Sequence, residues 1–192
     1  MALPVVGAIQ DGRELVDGES LLDVINPATG EVVARQAACD EAAVNAIVES
    51  SLRAYQSEAW RSLPAAGRGE LLLKLADLVE ERADELVDIE RQDTGKPVAQ
   101  LRGGELPLTA ALIRFYAGAA DKIEGRIKEG SPDETLLTFY EPYGVVAGIL
   151  PWNYPLVNAA LKVPPALAAG NAIVLKPSVE TPMGAVAFAK LC

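Results

Sequence analysis

The sequence predicts an α/β protein: N-terminal helices, a β-hairpin, and then the first βαβα unit of a doubly wound parallel sheet. Three observations predict it. From Gly144 onward the apolar runs alternate in type, reading strand at 145–150, helix at about 156–169, strand at 172–176 and helix at about 181–191. Between residues 40 and 123, apolar residues instead recur at helical spacing. Half of the 192 residues are hydrophobic and 23% are charged, which is enough apolar material for a core and too little charge for disorder.

The elements follow in order. The first dozen or so residues carry no informative pattern. Residues 22–34, "LDVINPATGEVVA", read as strand, turn, strand around Asn-Pro and Thr-Gly turn signals. Asp40 can cap a helix whose apolar positions are Val44, Ile47, Val48, Leu52 and Tyr55. Pro64 suits the first turn of a second helix, with Leu71, Leu75, Leu78, Val79, Leu86 and Ile89 as its buried stripe. Its charged residues, such as Glu80, Glu81, Arg82 and Asp84, are expected in solvent. "TGKP" at 94–97 ends it, since Gly95 can turn left-handed and Pro97 forbids continuation. A third helix runs through Leu112, Phe115, Ala119 and Ile123, with Gly103–Gly104 and Pro107 breaking or kinking its start. "TLLTFYEPYG" then returns to strand spacing.

Composition excludes several functions. The 27 acidic against 17 basic residues give a net charge of −10, and no Lys/Arg run stands out, which argues against a nucleic-acid surface. An acidic chain can still bind an anionic cofactor through a few local cations and helix N-termini. There is no histidine, so Ser-His-Asp and Cys-His mechanisms and histidine-built zinc sites are absent, and no metal site is expected. Cys39 and Cys192 lie far apart and form no C-x-x-C pair, which fits reduced thiols in a cytoplasmic protein. "MALPVVGAIQDGR" has no basic n-region and reads as no secretory signal. The apolar stretch 156–175 is interrupted by Lys162, Pro164–Pro165 and Gly170–Asn171, which argues against a membrane span. "TGKP" lacks the upstream glycine and following Ser/Thr of a phosphate loop, and no G-x-G-x-x-G occurs.

Asn153 follows the first strand of the βαβα unit and Lys176 ends the second. In an open parallel sheet ligands bind outside the carboxyl ends of the strands, so the two residues fall on one rim. A lysine there offers three donors to a ribose or phosphate. Pro151 and Pro155 stiffen the turn around Trp152–Asn153, and a rigidly held amide suits an oxyanion developing in acyl chemistry. The plainer readings stay open: Asn153 as a helix cap or turn residue, Lys176 as exposed surface, Trp152 as a packing residue.

"PWNYP" followed by "KVPPALAAGNAIVLKPS" resembles the aldehyde dehydrogenase superfamily, whose members carry P-W-N-[FY]-P, then P-A-L-A-x-G-N and K-P-[SA]. "INPATGE" from Ile25, "LLLKLADLVEERADEL" at 71–86, "DTGKP" at 93–97, "FYAGAADKIEG" at 115–125 and "EPYGVVAGI" at 141–149 continue the resemblance in order over nearly the whole chain. It implies a Rossmann-like sheet divided as residues 1–125 (N-terminal part of the cofactor domain), 126–142 (oligomerisation-type hairpin) and 143–192 (first βαβα unit). It implies NAD or NADP as cofactor, an aldehyde as substrate, and a homo-oligomeric parent. The reaction would pass through a thiohemiacetal, hydride transfer to the nicotinamide, and thioester hydrolysis.

Residue by residue, the resemblance assigns Asn153 the role of oxyanion-hole donor. Ile149, Leu150, Pro151 and Trp152 are similar to residues lining the nicotinamide side of the cleft. Lys176 resembles the lysine that bonds the adenosine ribose, with Ser178 beside it. One departure matters. Where many members read K-P-[SA]-E-Q-T-P, this chain has "KPSVETP", placing Val179 where a ribose-binding Glu is expected and Glu180 one position on. Without that carboxylate the repulsion of a 2′-phosphate is weakened, so NADP should be tolerated. The family's nucleophilic cysteine and general-base glutamate match nothing in these residues. Cys39 belongs to an early helix and Cys192 to no nucleophile motif, so the chain alone is expected to be inactive, an N-terminal fragment of its parent. The alternative expectation is a non-enzymatic assembly or regulatory piece that docks onto an intact paralogue through its hairpin.

Overall fold

The computed structural model describes residues 2–16 and 20–192. Two small β elements open the chain. Strand β1 (Val5–Val6) is followed by β2 (Ala8–Gln10) and β3 (Arg13–Leu15), an antiparallel hairpin with Gln10 opposite Arg13. Asp11 and Gly12 turn it with φ of 50° and 72°, the positive values a two-residue hairpin turn needs. Asp-Gly is itself a hairpin signal. The predicted strand–turn–strand is β4 (Leu21–Ile25) antiparallel to β5 (Val32–Ala37), with β1 added parallel on the other side of β5.

Helix α1 (Glu41–Gln56) starts where predicted, with Asp40 Oδ1 accepting from the Ala43 N–H at 2.7 Å. Its apolar stripe does not behave as expected, because Val44, Val48 and Leu52 are exposed. Two members of the predicted stripe, Ile47 and Tyr55, are half-buried, and Ser50 is buried with them. A short α2 (Glu58–Arg61), absent from the sequence reading, leads to α3 (Ala65–Glu81), with Pro64 as the residue just before the helix.

The predicted second helix is two helices. Arg82 (φ −97°, ψ 20°) leaves helical geometry, and α4 (Ala83–Thr94) continues after it. The buried face runs through Leu72, Leu75, Ala76 and Val79, then Leu86 and Val87, while Leu71 is exposed. Gly95 closes α4 at φ 69°, a left-handed cap that a Cβ would strain.

The third helical region begins earlier than expected. Helix α5 (Val98–Gln100) passes into a π-turn, Leu101–Glu105, and then α6 (Leu106–Ala119). Gly103–Gly104 sit inside this π-turn, so the expected break at the start of the helix takes the form of a locally widened turn. The stripe also differs: Ile113, Ala110 and Ala117 are buried, whereas Phe115 and Ile123 are exposed.

Strands β6 (Arg126–Glu129) and β7 (Thr135–Thr138) form an antiparallel hairpin whose eight strand residues are all exposed. The βαβα unit then follows the prediction: β8 (Val145–Ile149), α7 (Pro155–Ala168), β9 (Ala172–Lys176) and α8 (Met183–Ala189), with β8 and β9 parallel. One apolar core joins the early and late halves, as α3, α4 and α6 pack on α7 and α8 around Ile113, Ala160 and the fully buried Phe188. A side chain of that size contributes about 1.5–3 kcal/mol on burial. The carboxyl end of α7 is held from the front of the chain. Arg68 Nε donates to the Ala168 carbonyl at 3.2 Å, and the Trp60 indole donates to the Gly170 carbonyl at 2.9 Å.

Candidate functional site

The register of the parallel pair builds the site. Val145 stands opposite Ala172 and Ile149 opposite Lys176, and the Leu150 N–H donates to the Lys176 carbonyl at 2.9 Å. Two chain segments therefore leave the sheet side by side at its carboxyl edge. Residues 150–154 depart from β8 and residues 177–181 from β9.

Most of the predicted site residues sit on this edge. Ile149, Pro151, Asn153, Lys176, Val179 and Glu180 are exposed there. Trp152 is 64% exposed, so it is not the packing residue that its size suggested. Leu150 departs from expectation in the other direction: at 3% exposure its side chain belongs to the core, and only its backbone reaches the rim. The Lys176 ammonium donates to the Pro177 carbonyl at 2.9 Å. The Ser178 hydroxyl donates to the Glu180 carboxylate, and this contact is the first cause holding that carboxyl below its usual range.

The residues that hold the edge in place were not singled out by the sequence. Three side chains from three other segments grip the backbone after β8. The Thr181 hydroxyl donates to the Trp152 carbonyl at 3.2 Å. The Lys96 ammonium donates to the Asn153 carbonyl at 2.6 Å and lies 3.6 Å from the centroid of the Tyr154 ring. The Leu156 N–H donates to Glu90 Oε1 at 3.3 Å, which caps the start of α7.

Glu90 belongs to a buried acidic group that the sequence reading assigned to no function. Glu90 and Asp93 are each 1% exposed and Glu105 is 5% exposed. Asp93 accepts the Gly184 N–H at 2.8 Å, at the start of α8. Burial pushes the Glu90 carboxyl up to about 8, reinforced by the charges of Asp93 and Glu105 and opposed by the Leu156 N–H and by Lys96. Burial likewise pushes Asp93 up to about 7 against the Gly184 and Met183 N–H groups. One oxygen of each, Glu90 Oε2 and Asp93 Oδ1, has no hydrogen-bond partner, which is what a protonated carboxyl at this depth tolerates better than a carboxylate. Glu105 stays paired, its two oxygens 2.7 and 2.8 Å from the Lys96 ammonium. A signal for these acids existed in the sequence: Glu90 and Asp93 stand four and seven residues after Leu86, on the stripe that faces the core.

Among the described residues no group of three or more His, Cys, Asp or Glu side chains is placed to hold a metal ion, and no helix is long and apolar enough to cross a membrane. Cys39 and Cys192 are both free.

A parallel strand pair under helices, with an amide and an ammonium leaving its adjacent carboxyl ends, is the edge at which doubly wound α/β proteins take up ligands. The model of the aldehyde dehydrogenase family matches residues 15–192, and the chain belongs to that family. It is 46% identical over 176 residues to (Z)-2-((N-methylformamido)methylene)-5-hydroxybutyrolactone dehydrogenase of Acinetobacter baylyi, with 91% of this chain and 36% of that protein covered. It is 42% identical to phenylacetaldehyde dehydrogenase of Pseudomonas fluorescens, covering 94% of this chain and 38% of that protein. Among solved structures, PnpE in complex with nicotinamide adenine dinucleotide superposes with a TM-score of 0.91 at 42% identity, over 97% of this chain and 38% of that one. The NAD+ complex of aldehyde dehydrogenase from Bacillus cereus gives 0.86 at 39% identity, over 90% of this chain and 35% of that one. The chain thus spans little more than a third of the length of these relatives.

Proposed function

We propose that this protein serves NAD(P)-dependent oxidation of an aldehyde to a carboxylic acid, with residues 1–192 supplying the cofactor rim and one catalytic side chain. The observation that carries the reading is the β8–β9 register, which sets the Asn153 segment and Lys176 at one edge in a chain of this family. A dinucleotide fits what is present. Lys176 offers an exposed ammonium to the ribose, Ser178 a hydroxyl beside it, and Ile149 and Trp152 exposed apolar surface on the nicotinamide side. The bound cofactor supplies the hydride acceptor.

Asn153 donates its amide to the oxygen that becomes negative when a nucleophile attacks the aldehyde carbon. Held by a backbone pinned on three sides, that dipole is already oriented when the charge forms and needs no reorganisation. None of the 192 residues supplies the nucleophile or the general base: Cys39 lies just before α1 and Cys192 follows α8, and neither matches a nucleophile motif. The chain alone accordingly turns over no aldehyde. Residues 1–125 form the N-terminal part of the cofactor domain, 126–142 an oligomerisation-type hairpin and 143–192 the first βαβα unit, the first and last sharing one core. The hairpin supports homo-oligomer formation, since Ile127, Leu136 and Leu137 stand exposed on it. Two free thiols suit a cytoplasmic location.

The test is a chimera joining residues 1–192 to the portion of the P. fluorescens relative that they do not span, followed by reduction of NAD and NADP with phenylacetaldehyde. Asn153→Ala is expected to lower kcat by about 10²–10³ with little change in the KM for cofactor. An unchanged kcat defeats the assignment of Asn153.

A further inference from the structure

We propose that Lys96 is a positioning residue, which clamps the Asn153 backbone to a buried carboxylate and so fixes the direction of the Asn153 amide. The inference rests on the reading of Asn153 as the oxyanion donor. Its argument comes from the ammonium's three protons and where they go. An ammonium has three N–H donors and no acceptor. Around Lys96 Nζ stand three oxygens within reach: Glu105 Oε1 at 2.7 Å, Glu105 Oε2 at 2.8 Å and the Asn153 carbonyl at 2.6 Å. Every donor is therefore used, two on the charge that neutralises it and one on the segment leaving β8. The Tyr154 ring centroid lies 3.6 Å from the ammonium and adds a cation–π contact.

The carboxylate end of the clamp is itself immobile. Glu105 closes the π-turn, its Oε1 also accepts from Gln100 Nε2 at 2.9 Å, and its carbonyl accepts the Thr109 hydroxyl at 2.8 Å. The lysine end sits directly after the left-handed Gly95 cap of α4 and directly before Pro97, which narrows its backbone to the extended region. A salt bridge whose only task was to brace α4 against the π-turn would need no contact with Asn153. The third proton goes there, fifty-seven residues along the chain, to the peptide plane whose orientation sets where the neighbouring side chain points. The Thr181 contact one residue earlier and the Glu90 contact at Leu156 grip the same segment, and the Lys96 contact is the one applied at Asn153 itself.

The test uses the 192-residue chain, labelled with ¹⁵N and ¹³C. Lys96→Met alone would leave Glu105 buried and uncompensated, so the variant to make is Lys96→Met with Glu105→Gln, which removes both charges and keeps both volumes. Backbone order parameters at Trp152, Asn153 and Tyr154 are expected to fall from about 0.85 to below about 0.6, while those of β8 and α7 hold. Values at 152–154 unchanged in a folded double variant would overturn the proposal and leave the pair as a brace only. Should that variant fail to fold, the wild-type chain decides. A hydrogen-bond-mediated coupling between Lys96 Nζ and the Asn153 carbonyl carbon supports the clamp, and its absence overturns it. Neither measurement uses an aldehyde or a nicotinamide. A clamp confirmed here together with an unaltered kcat in Asn153→Ala would sink the oxyanion reading and spare the clamp.

Discussion

Glu90→Gln exchanges a buried carboxyl for a neutral side chain of the same shape, and its effect depends on pH in a way the structure fixes. In the unfolded chain a Glu loses its proton near pH ~4.3. In the folded chain burial holds the proton on Glu90 up to about pH 8. Between these two values the native state binds a proton that the unfolded state lacks, so stability falls as pH rises, and the fall stops above the folded value. One such proton gives a slope of about 1.4 kcal/mol per pH unit, halved at the folded value itself, so the interval from pH 6 to pH 8 costs about 2 kcal/mol through Glu90. In the variant that contribution is gone, because the Gln carbonyl can accept the Leu156 N–H and nothing titrates. For a chain of this size about 1 kcal/mol moves Tm by about 2–4 °C, so from pH 6 to pH 8 the variant should lose about 4–8 °C less than the wild type. The measurement is thermal unfolding followed by circular dichroism at pH 6, 7, 8 and 9 and constant ionic strength. Titrating groups remote from Glu90 are common to both proteins and cancel in the difference; Asp93, whose charge bears on Glu90, does not cancel in full. Parallel Tm-versus-pH curves would refute the reasoning, since they would mean that Glu90 is already ionised at pH 6.

Two further outcomes follow from the same neighbourhood and from the rim. A Cβ built on Gly184 would lie 2.3 Å from Glu90 Oε2 and 3.3 Å from the Pro155 Cβ, so Gly184→Ala should lower stability by about 1–3 kcal/mol, read as a lower denaturation midpoint. Val179→Glu restores a carboxylate where the ribose hydroxyls are expected; in the chimera described above, kcat/KM with NADP should fall by about tenfold relative to NAD, and an unchanged ratio would remove Val179 from the specificity argument.

Much of the architecture could be read from local chemistry. Asp40 and Gly95 mark helix ends because one side chain accepts a free N–H and the other residue tolerates positive φ, and both reasons hold without knowledge of the remainder of the chain. The carboxyl rim was legible because parallel strands with a crossover helix must end on the same side. The break at Arg82 was not legible, since neither Gly nor Pro announces it. Gly103–Gly104 announced an irregularity at the start of the third helix, but not its form, a π-turn between the buried Leu101 and Glu105. The largest omission was the acidic group. Glu90, Asp93 and Glu105 lie on core-facing positions, but charge on a helix is ordinarily solvated, and the partners that make burial tolerable come from residues 96, 156 and 184. Such pairings depend on distant chain positions and are invisible to any local window.

Helix α7 is fastened at its start by Glu90 and at its finish by Arg68 and Trp60. All three anchors precede it in the chain, and synthesis runs from the N-terminus. Every side chain that fastens this helix is therefore already synthesised when the helix itself emerges from the ribosome.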